Sequence, residues 1–178
     1  MKLHIWRGVY MYQAGDKVVY GMHGVCVVSD LEQRVVDHKE VTYLVLEPMG
    51  QPGARFLVPS HNPAAMSKVK AMLTREELEQ LLSSDAIHQD VWIQEEGKRK
   101  QTYRELIGSG CREKLLQMVF SLYRCRNVLR AAGKKFHMCD ENFLRDAEKL
   151  LASEISVTLA LSPQEAIQYL RKALKEDA

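Results

Sequence analysis

A short stretch near the start of the chain limits strongly what the chain can fold into. Residues 15–28 begin with a Gly-Asp turn, continue as Lys-Val-Val-Tyr and end as Val-Cys-Val-Val, with Gly21 and Gly24 between the two valine runs. Valine and tyrosine favour strands, and the paired glycines allow a tight turn at Met22 and His23. The pattern predicts a β-hairpin that opens a small antiparallel barrel.

Two more runs of strand length follow this hairpin. Residues 41–46 read Val-Thr-Tyr-Leu-Val-Leu and residues 55–59 read Arg-Phe-Leu-Val-Pro, separated by a stretch rich in proline and glycine at 48–53. Turn residues of this kind separate strands, and four or five short strands in about fifty residues are typical of a small barrel. We therefore expect an SH3-like or Tudor-like barrel.

The second half of the chain has helical signals. Thr74 and Glu77 form a capping box, and Ser162 and Glu165 form another. Asp140 is placed to cap a long helix between them. Further helices are expected to end at glycines, one at 108–110 and one at 133, with apolar residues at close to the 3.6-residue period.

The predicted fold class is therefore α+β with two domains, a small barrel followed by an all-α bundle of about four helices. We expect an upstream extension at 1–10, the barrel at 11–70, a helix and linker at 71–97 and the bundle at 98–178. We place the boundary between the domains at 83–85. Residues 1–10 could equally be an extra edge strand.

Positive charge is concentrated in one part of the chain. Residues 98–135 contain eleven lysines and arginines and two acids, although the whole chain carries a formal charge of only +2. A cluster this one-sided indicates a polyanionic partner. Trp92 precedes the cluster and could stack on an unpaired base. It could instead anchor the linker on the bundle, and the cations could be a solvated helix face.

Several classes of protein and site are not supported. No apolar run approaches the roughly 20 residues that span a bilayer, and residues 1–10 make a poor signal peptide. The four cysteines are widely spaced and form no Cys-x-x-Cys pair, so reduced thiols in the cytoplasm are expected. His137 and Cys139 alone are too few ligands for zinc. No motif for catalysis is present, so we predict neither enzymatic activity nor a cofactor.

The strand motifs also carry a resemblance to a known family. Gly-Asp-Lys-Val-Val-Tyr, His-Gly-Val, Tyr-Leu-Val-Leu and Leu-Val-Pro occur in this order from residue 15 to residue 59. The chain thereby resembles the CarD/CdnL transcription regulators, whose RNA-polymerase-interacting domain is shared with the transcription-repair coupling factor. The length of the helical remainder is similar to the family's stand-alone form.

The resemblance implies a polymerase-binding site on the barrel, where a sheet edge docks on a strand of the polymerase β subunit. Arg34 stands at a family contact position. The second family arginine, two residues before the proline, is Leu57 in this chain. Arg55 has the same strand parity and could replace it. Without the resemblance, Arg34 and Arg55 would be ordinary exposed strand residues.

The resemblance also implies that Trp92 wedges into the minor groove at the upstream edge of the promoter bubble, with cations holding phosphates. The predicted DNA contacts are Trp92, Lys98, Arg99, Lys100, Arg104, Arg124, Arg126, Arg130, Lys134 and Lys135. The expected partners are the polymerase β subunit and promoter DNA just upstream of the melted region, and no membrane.

The sequence thus predicts a monomeric, cytoplasmic regulator that reaches the nucleoid through RNA polymerase and stabilises the open complex. The alternative is a protein-interaction module whose basic helices bind an acidic partner without touching DNA. A preference for forked over intact duplex DNA would separate the two.

Overall fold

The structure, a computed structural model, describes residues 12–174, so the predicted extension at 1–10 lies outside the described residues. The first domain is a five-stranded antiparallel sheet, as the sequence predicts. Its strands are β1 (Lys17–Tyr20), β2 (Val25–Val36), β3 (Lys39–Pro48), β4 (Phe56–Pro59) and β5 (Val69–Ala71). They lie in the order β4-β3-β2-β1-β5, which makes β4 and β5 the edges.

The hairpin at the start of the sheet forms around the two glycines. A 3₁₀ turn, Gly21–His23, joins β1 to β2, and both Gly21 and Gly24 have positive φ. Side chains alternate between the two faces of each strand, and the inward-facing ones form a single core. The core residues of the sheet are Val18, Cys26, Val28, Leu44, Leu46, Val58 and Val69.

Strands β2 and β3 extend beyond the rest of the sheet. Their pairing shifts at a bulge between Val28 and Asp30 and continues to Val36 opposite Lys39. β1 pairs with β2 only as far as Val27, so the outer parts of β2 and β3 form a two-stranded ribbon. Asp37 and His38 close the ribbon with positive φ, as the turn of a two-residue hairpin requires.

The segment between β4 and the helical domain contains a short helix and β5. The helix, α1, spans Pro63–Met66 and is capped by the Asn62 side chain, which accepts from the amide of Ala65. β5 then pairs antiparallel with β1. The proline at the first helical position explains why so short a helix forms there.

Five further helices make the second domain: α2 (Arg75–Ser83), α3 (Glu96–Ser109), α4 (Arg112–Ala131), α5 (Met138–Leu159) and α6 (Pro163–Ala173). Both predicted capping boxes are confirmed, at Thr74 with Glu77 and at Ser162 with Glu165. α3 ends at Gly110 in the left-handed conformation, as predicted. A β domain followed by a helical domain is therefore the observed order.

The helical domain has its own core, which includes α2. Leu78 and Leu82 of α2 are buried with residues of α4, α5 and α6. The helix that the sequence places before a boundary at 83–85 thus packs with the bundle. Its apolar stripe is buried in the helical core, and none of its residues belongs to the core of the sheet.

The two domains touch along the end of the sheet that carries the first hairpin and β5. The Lys70 ammonium donates to the carbonyl of Gly110 at 3.0 Å, and the Leu73 amide donates to Glu154 Oε1 at 2.9 Å. The 3₁₀ turn after β1 packs on the C-terminal end of α3. The ribbon of β2 and β3 extends from the other end of the sheet, and its residues 33–40 are exposed.

Candidate functional site

The predicted polymerase-binding residues lie on one face of the sheet. Val45 of β3 is paired with Leu57 of β4 and with Asp30 of β2. Arg34 is four residues beyond Asp30 on the same strand, so its side chain lies on the same face of the sheet. Its guanidinium carbon lies 5.9 Å from the centroid of the Tyr43 ring, which is part of this face too. The face is opposite to the core of the sheet.

Arg34 is held in place by its neighbours. Its Nε donates to Glu32 Oε1 at 2.8 Å, and this bond raises the pKa of the arginine. Its side chain remains 48% exposed. Because Glu32 and Arg34 are two apart on one strand, they form a charged pair on the surface of the ribbon. Arg34 is accessible and oriented, which suits an intermolecular contact.

Arg55 and Leu57 lie on or beside edge strand β4. Arg55 directly precedes the strand and is not part of it, which corrects the prediction that it belongs to the last strand. Its Nε lies 3.6 Å from Glu47 Oε1. Leu57 is 37% exposed. Within residues 12–174 no strand pairs with the outer side of β4, so its backbone can accept another strand.

Trp92 lies in the linker between α2 and α3 and is half-buried against the helical core. The guanidinium carbon of Arg99 lies 4.4 Å from the centroid of its ring. The indole also lines an open groove of about 470 Å³ together with Asp90, Gln94 and Arg124. Trp92 thus combines features of both interpretations made from the sequence, since it contacts the core and still borders open space.

Arg99 cannot make the phosphate contact predicted for it, because it is buried. Only 4% of its surface is exposed. Nε and Nη2 donate to the two carboxylate oxygens of Asp140, each at 3.0 Å, and these bonds raise the pKa of Arg99. Nη1 donates to the carbonyls of Ile93 and Gln94 at 2.8 and 3.2 Å. The guanidinium is therefore a structural group that ties the linker to the bundle.

The same pair corrects the prediction for Asp140. Helix α5 begins at Met138, with His137 as its N-cap, and no side chain caps it. Asp140 lies in the first turn and is 1% exposed. A carboxylate can serve either as a helix cap or as the partner of a buried guanidinium. Asp140 serves as the partner, because the buried charge of Arg99 requires an opposite charge beside it.

Burial of Arg99 separates the lysines on either side of it. Successive residues of an α-helix are about 100° apart, so Lys98 and Lys100 lie on opposite flanks of α3. Lys100 forms an ion pair with Glu96 that raises the pKa of the lysine. Lys98 and Arg104 are exposed. The run 98–100 is therefore not a continuous phosphate-binding patch.

Three cations of α4 are also paired with acids. Arg124 lies 3.4 Å from Asp90, and Arg126 lies 3.6 Å from Glu141. Arg112 forms two bonds to Glu154, described below. Each of these acids is outside the stretch 98–135. The local charge counted from the sequence is therefore larger than the charge that this surface presents.

The remaining predicted DNA contacts are exposed cations. Within the part of the chain that the structure describes, no ion pair engages them: Lys98, Arg104, Arg130, Lys134 and Lys135. Arg130 does donate to the side chain of Asn127 at 3.2 Å. These five side chains are the cations best placed to meet phosphates.

Cys26 and His23 lie near each other in the first hairpin, and both have structural environments. Cys26 lies in the core of the sheet, where burial raises the pKa of its thiol to about 11. The rings of His23, Tyr20 and Phe56 form one cluster, in which the His23 centroid lies 5.4 Å from that of Tyr20 and 4.0 Å from that of Phe56, and burial lowers the pKa of His23. Neither environment favours a reactive thiol or a charged imidazole.

Among residues 12–174, no three His, Cys, Asp or Glu side chains come together in a way that could hold a metal ion. No helix in the same part of the chain is both long and apolar enough to traverse a bilayer.

The comparisons with known proteins agree with the strand motifs. Residues 12–70 match the family described as the CarD-like/TRCF RID domain, which accounts for 59 of the 178 residues. The match ends at residue 70, within β5, and so it coincides with the sheet domain. A search of curated proteins finds no match.

Proposed function

We propose that this chain, which belongs to the CarD-like family through the domain at 12–70, is a transcription regulator that joins RNA polymerase to promoter DNA. A domain of this family indicates an interaction with RNA polymerase. The finer proposal is that the sheet binds the polymerase β subunit, while the helical domain binds DNA just upstream of the melted region. The match at 12–70 is the observation that carries the polymerase part of this proposal.

The geometry of the sheet supports docking at β4. An unpaired edge strand can bind another strand through backbone hydrogen bonds, and side chains beside the edge then select the partner. Leu57 lies beside this edge, so an apolar residue of the partner strand would fit there. Arg34 is on the same face but two strands further in, on β2, so it would pair with an acidic side chain of another part of the partner. The resemblance implies an arginine at the position of Leu57, which would make the contact there apolar.

The groove beside Trp92 supports DNA binding. An aromatic ring that borders open space can stack on an unpaired base, while nearby cations hold the backbone. Arg99 stacks on the indole at 4.4 Å and is itself fixed by Asp140. The ring is therefore held in position before DNA arrives, which lowers the entropic cost of binding.

The two surfaces together would stabilise the open complex. Docking on polymerase raises the local concentration of a helical domain that binds DNA weakly alone. If Trp92 binds unstacked bases better than intact duplex, the bound chain shifts the equilibrium towards melted DNA. Promoter specificity would come from polymerase. The chain would act by binding and not by catalysis.

One observation favours a second candidate, a protein-interaction module with an acidic partner. Five of the eleven cations at 98–135 are already paired with acids, and Trp92 is half-buried. A surface with fewer available cations suits an acidic protein as well as it suits DNA.

The test is the lifetime of the open complex formed by the cognate polymerase on a ribosomal promoter. We expect wild-type protein to lengthen it. Arg34→Glu should remove the effect by weakening polymerase binding, while Arg75→Glu, a matched change of an exposed arginine on α2, should retain it. Trp92→Ala should lose the effect with polymerase binding intact, and Trp92→Phe should keep part of it.

A second measurement separates the two candidate functions. Affinity for forked and for intact duplex DNA is measured with wild type and Trp92→Ala. DNA binding through Trp92 predicts a preference for forked DNA that Trp92→Ala loses. If wild type shows no such preference, or folded Trp92→Ala lengthens the open complex as well as wild type, the wedge assignment is wrong.

A further inference from the structure

The tip of the first hairpin meets the C-terminal end of α3 through backbone alone. A Cβ atom built on Gly110 would lie 2.9 Å from the carbonyl oxygen of Gly21 and 3.1 Å from its Cα. One built on Gly21 would lie 3.4 Å from the carbonyl oxygen of Gly108. No Cβ fits at Gly110, so the backbones of the two segments approach closely there, whereas a Cβ on Gly21 would make an ordinary van der Waals contact.

A second contact joins the end of β5 to α4 and α5. Arg112 Nε and Nη2 donate to the two oxygens of Glu154 at 2.6 and 2.7 Å, and Nη2 also donates to the carbonyl of Ala71 at 2.6 Å. Glu154 Oε1 accepts from the Leu73 amide at 2.9 Å. The two charged side chains are 17% and 7% exposed. Arg112 thus links both domains through one largely buried carboxylate.

A third contact joins the first hairpin to α5. A Cβ atom on Gly24 would come within 2.8 Å of Ser153 Oγ, one residue before Glu154. The sheet is thus fastened at its first hairpin and again where the chain leaves it. Two separated attachments prevent rotation about the short connection between β5 and α2, which a single attachment would allow.

We propose that Gly110 and Arg112 are positioning residues, which hold the sheet domain in one orientation on the helical domain so that polymerase binding and DNA binding are coupled. This inference rests on the proposed function and specifies how it is achieved. A rigid connection keeps the effective concentration of the DNA-binding surface high at one place on the promoter. A loose connection would spread that surface over many positions and weaken the coupling.

The chain offers a matched pair of glycines for the test. Gly110 and Gly133 both have left-handed backbone, with φ of +59° and +66°, and each follows the end of a helix. Alanine is strained at either position for the same reason. A Cβ at Gly133 meets nothing within 4 Å. The difference between Gly110→Ala and Gly133→Ala therefore reports the domain contact.

Arg112→Lys is the second variant, in case Gly110→Ala does not fold. Lysine keeps the positive charge but cannot bridge both oxygens of Glu154 and the carbonyl of Ala71 as the planar guanidinium does. The matched control is Arg75→Lys. The Arg75 guanidinium pairs with Glu79 on the same helix, and this pair is far more exposed than Arg112 and Glu154. Both changes conserve charge, but only the first affects the domain contact.

The first readout does not depend on the proposed function. Hydrogen exchange of the Leu73 amide, which donates to Glu154, reports whether the contact between the domains is closed. We expect exchange to be at least about tenfold faster in Gly110→Ala and Arg112→Lys than in their controls, which corresponds to a modest loss of closed population. Equal exchange in variant and control would overturn the inference.

The second readout separates positioning from a general structural role. Affinities for a fragment of the polymerase β subunit and for forked DNA, measured one at a time, should stay within about twofold of wild type. The lengthening of the open complex should fall by about tenfold, because only the coupling is lost. A fall in the separate affinities would overturn the inference, since the residues would then support folding and not position.

The results that would refute the proposed function differ from those that would refute the positioning inference. If wild type binds neither the β fragment nor forked DNA, the proposed function is wrong, and Leu73 exchange still shows whether the domains are held rigidly. If wild type lengthens the open complex and Gly110→Ala does so as well as Gly133→Ala, only the positioning inference is wrong.

Discussion

Replacing Asp140 by asparagine should destabilise the protein far more than most single changes of charge. The amide has nearly the shape of the carboxylate, but its NH₂ group would face a guanidinium N–H, so that two donors meet. Arg99 would be left with its charge at a site where 4% of its surface is exposed. Removing one partner of a buried ion pair typically costs about 3–5 kcal/mol.

The lower part of that range is expected here, because Arg99 keeps other partners. Its bonds to the carbonyls of Ile93 and Gln94 and its stacking on Trp92 do not involve Asp140. We therefore predict a loss of about 3 kcal/mol in the free energy of unfolding. For a chain of this length, that loss lowers Tm by about 10 °C.

The assay is urea unfolding followed by far-UV circular dichroism and by tryptophan fluorescence in a Trp6→Phe background. Trp92 is then the single reporter, and its emission should shift to longer wavelength when Arg99 loses its position. Glu141→Gln is the matched control, since Glu141 lies beside Asp140 in the first turn of α5 but is 37% exposed. It should cost less than about 1 kcal/mol.

Two results decide the matter. If Asp140→Asn costs no more than Glu141→Gln, the argument from burial is refuted. The double variant Arg99→Met, Asp140→Leu removes both charges at once and should recover most of the stability, because an apolar pair of similar size needs no compensation. Failure to recover would mean that the bonds from Arg99 to the linker matter more than the ion pair.

Two further predictions concern stability. Because burial raises the pKa of Cys26 from 9.0 to about 11, the folded state keeps a proton that the unfolded state loses. The free energy of unfolding should therefore fall as pH rises from 9 to 11, by up to about 2 kcal/mol, and Cys26→Ala should show a smaller fall in alkaline urea titrations. Ser162→Ala should cost about 1 kcal/mol by removing the cap of α6, seen as a Tm lower by about 3 °C. Since the bond from Ser162 lowers the pKa of Glu165, this difference should shrink as pH falls through that lowered pKa, and a difference that grows in acid would contradict the reasoning.

Features set by neighbouring residues could be predicted from the sequence. The capping boxes at Thr74 and Ser162 need only four residues each, and both formed as predicted. The first hairpin and the helix end at Gly110 depend on local backbone preferences in the same way. The strand motifs likewise identified the domain at 12–70.

Features set by distant residues could not be predicted from the sequence. Arg99 looked like one of three exposed cations because its partner Asp140 is 41 residues away, and Asp140 looked like a cap for the same reason. The helical signal of α3 does show that Arg99 and Tyr103 share a face, since they are four apart and both buried. That spacing was the one available sign that Arg99 points inward.

The domain contact was missed because glycines have several uses. Gly21 and Gly110 were interpreted as turn and cap residues, which they are, and nothing nearby indicates that they also touch each other. Arg112 was counted with the basic cluster, although Glu154 makes it part of the contact. Contacts between domains depend on three-dimensional placement that one sequence does not specify.

The pairing of cations with distant acids bears on where such a protein would be found. Each phosphate neutralised by a protein cation steepens the dependence of DNA affinity on salt, and most non-specific affinity comes from this term. Five of the eleven cations at 98–135 are paired with acids, so few cations of the helical domain are available to bind DNA without polymerase. If the chain binds polymerase and DNA as proposed, its distribution along a chromosome would follow initiating polymerase and not DNA itself, and it would mark where transcription starts without reading any sequence.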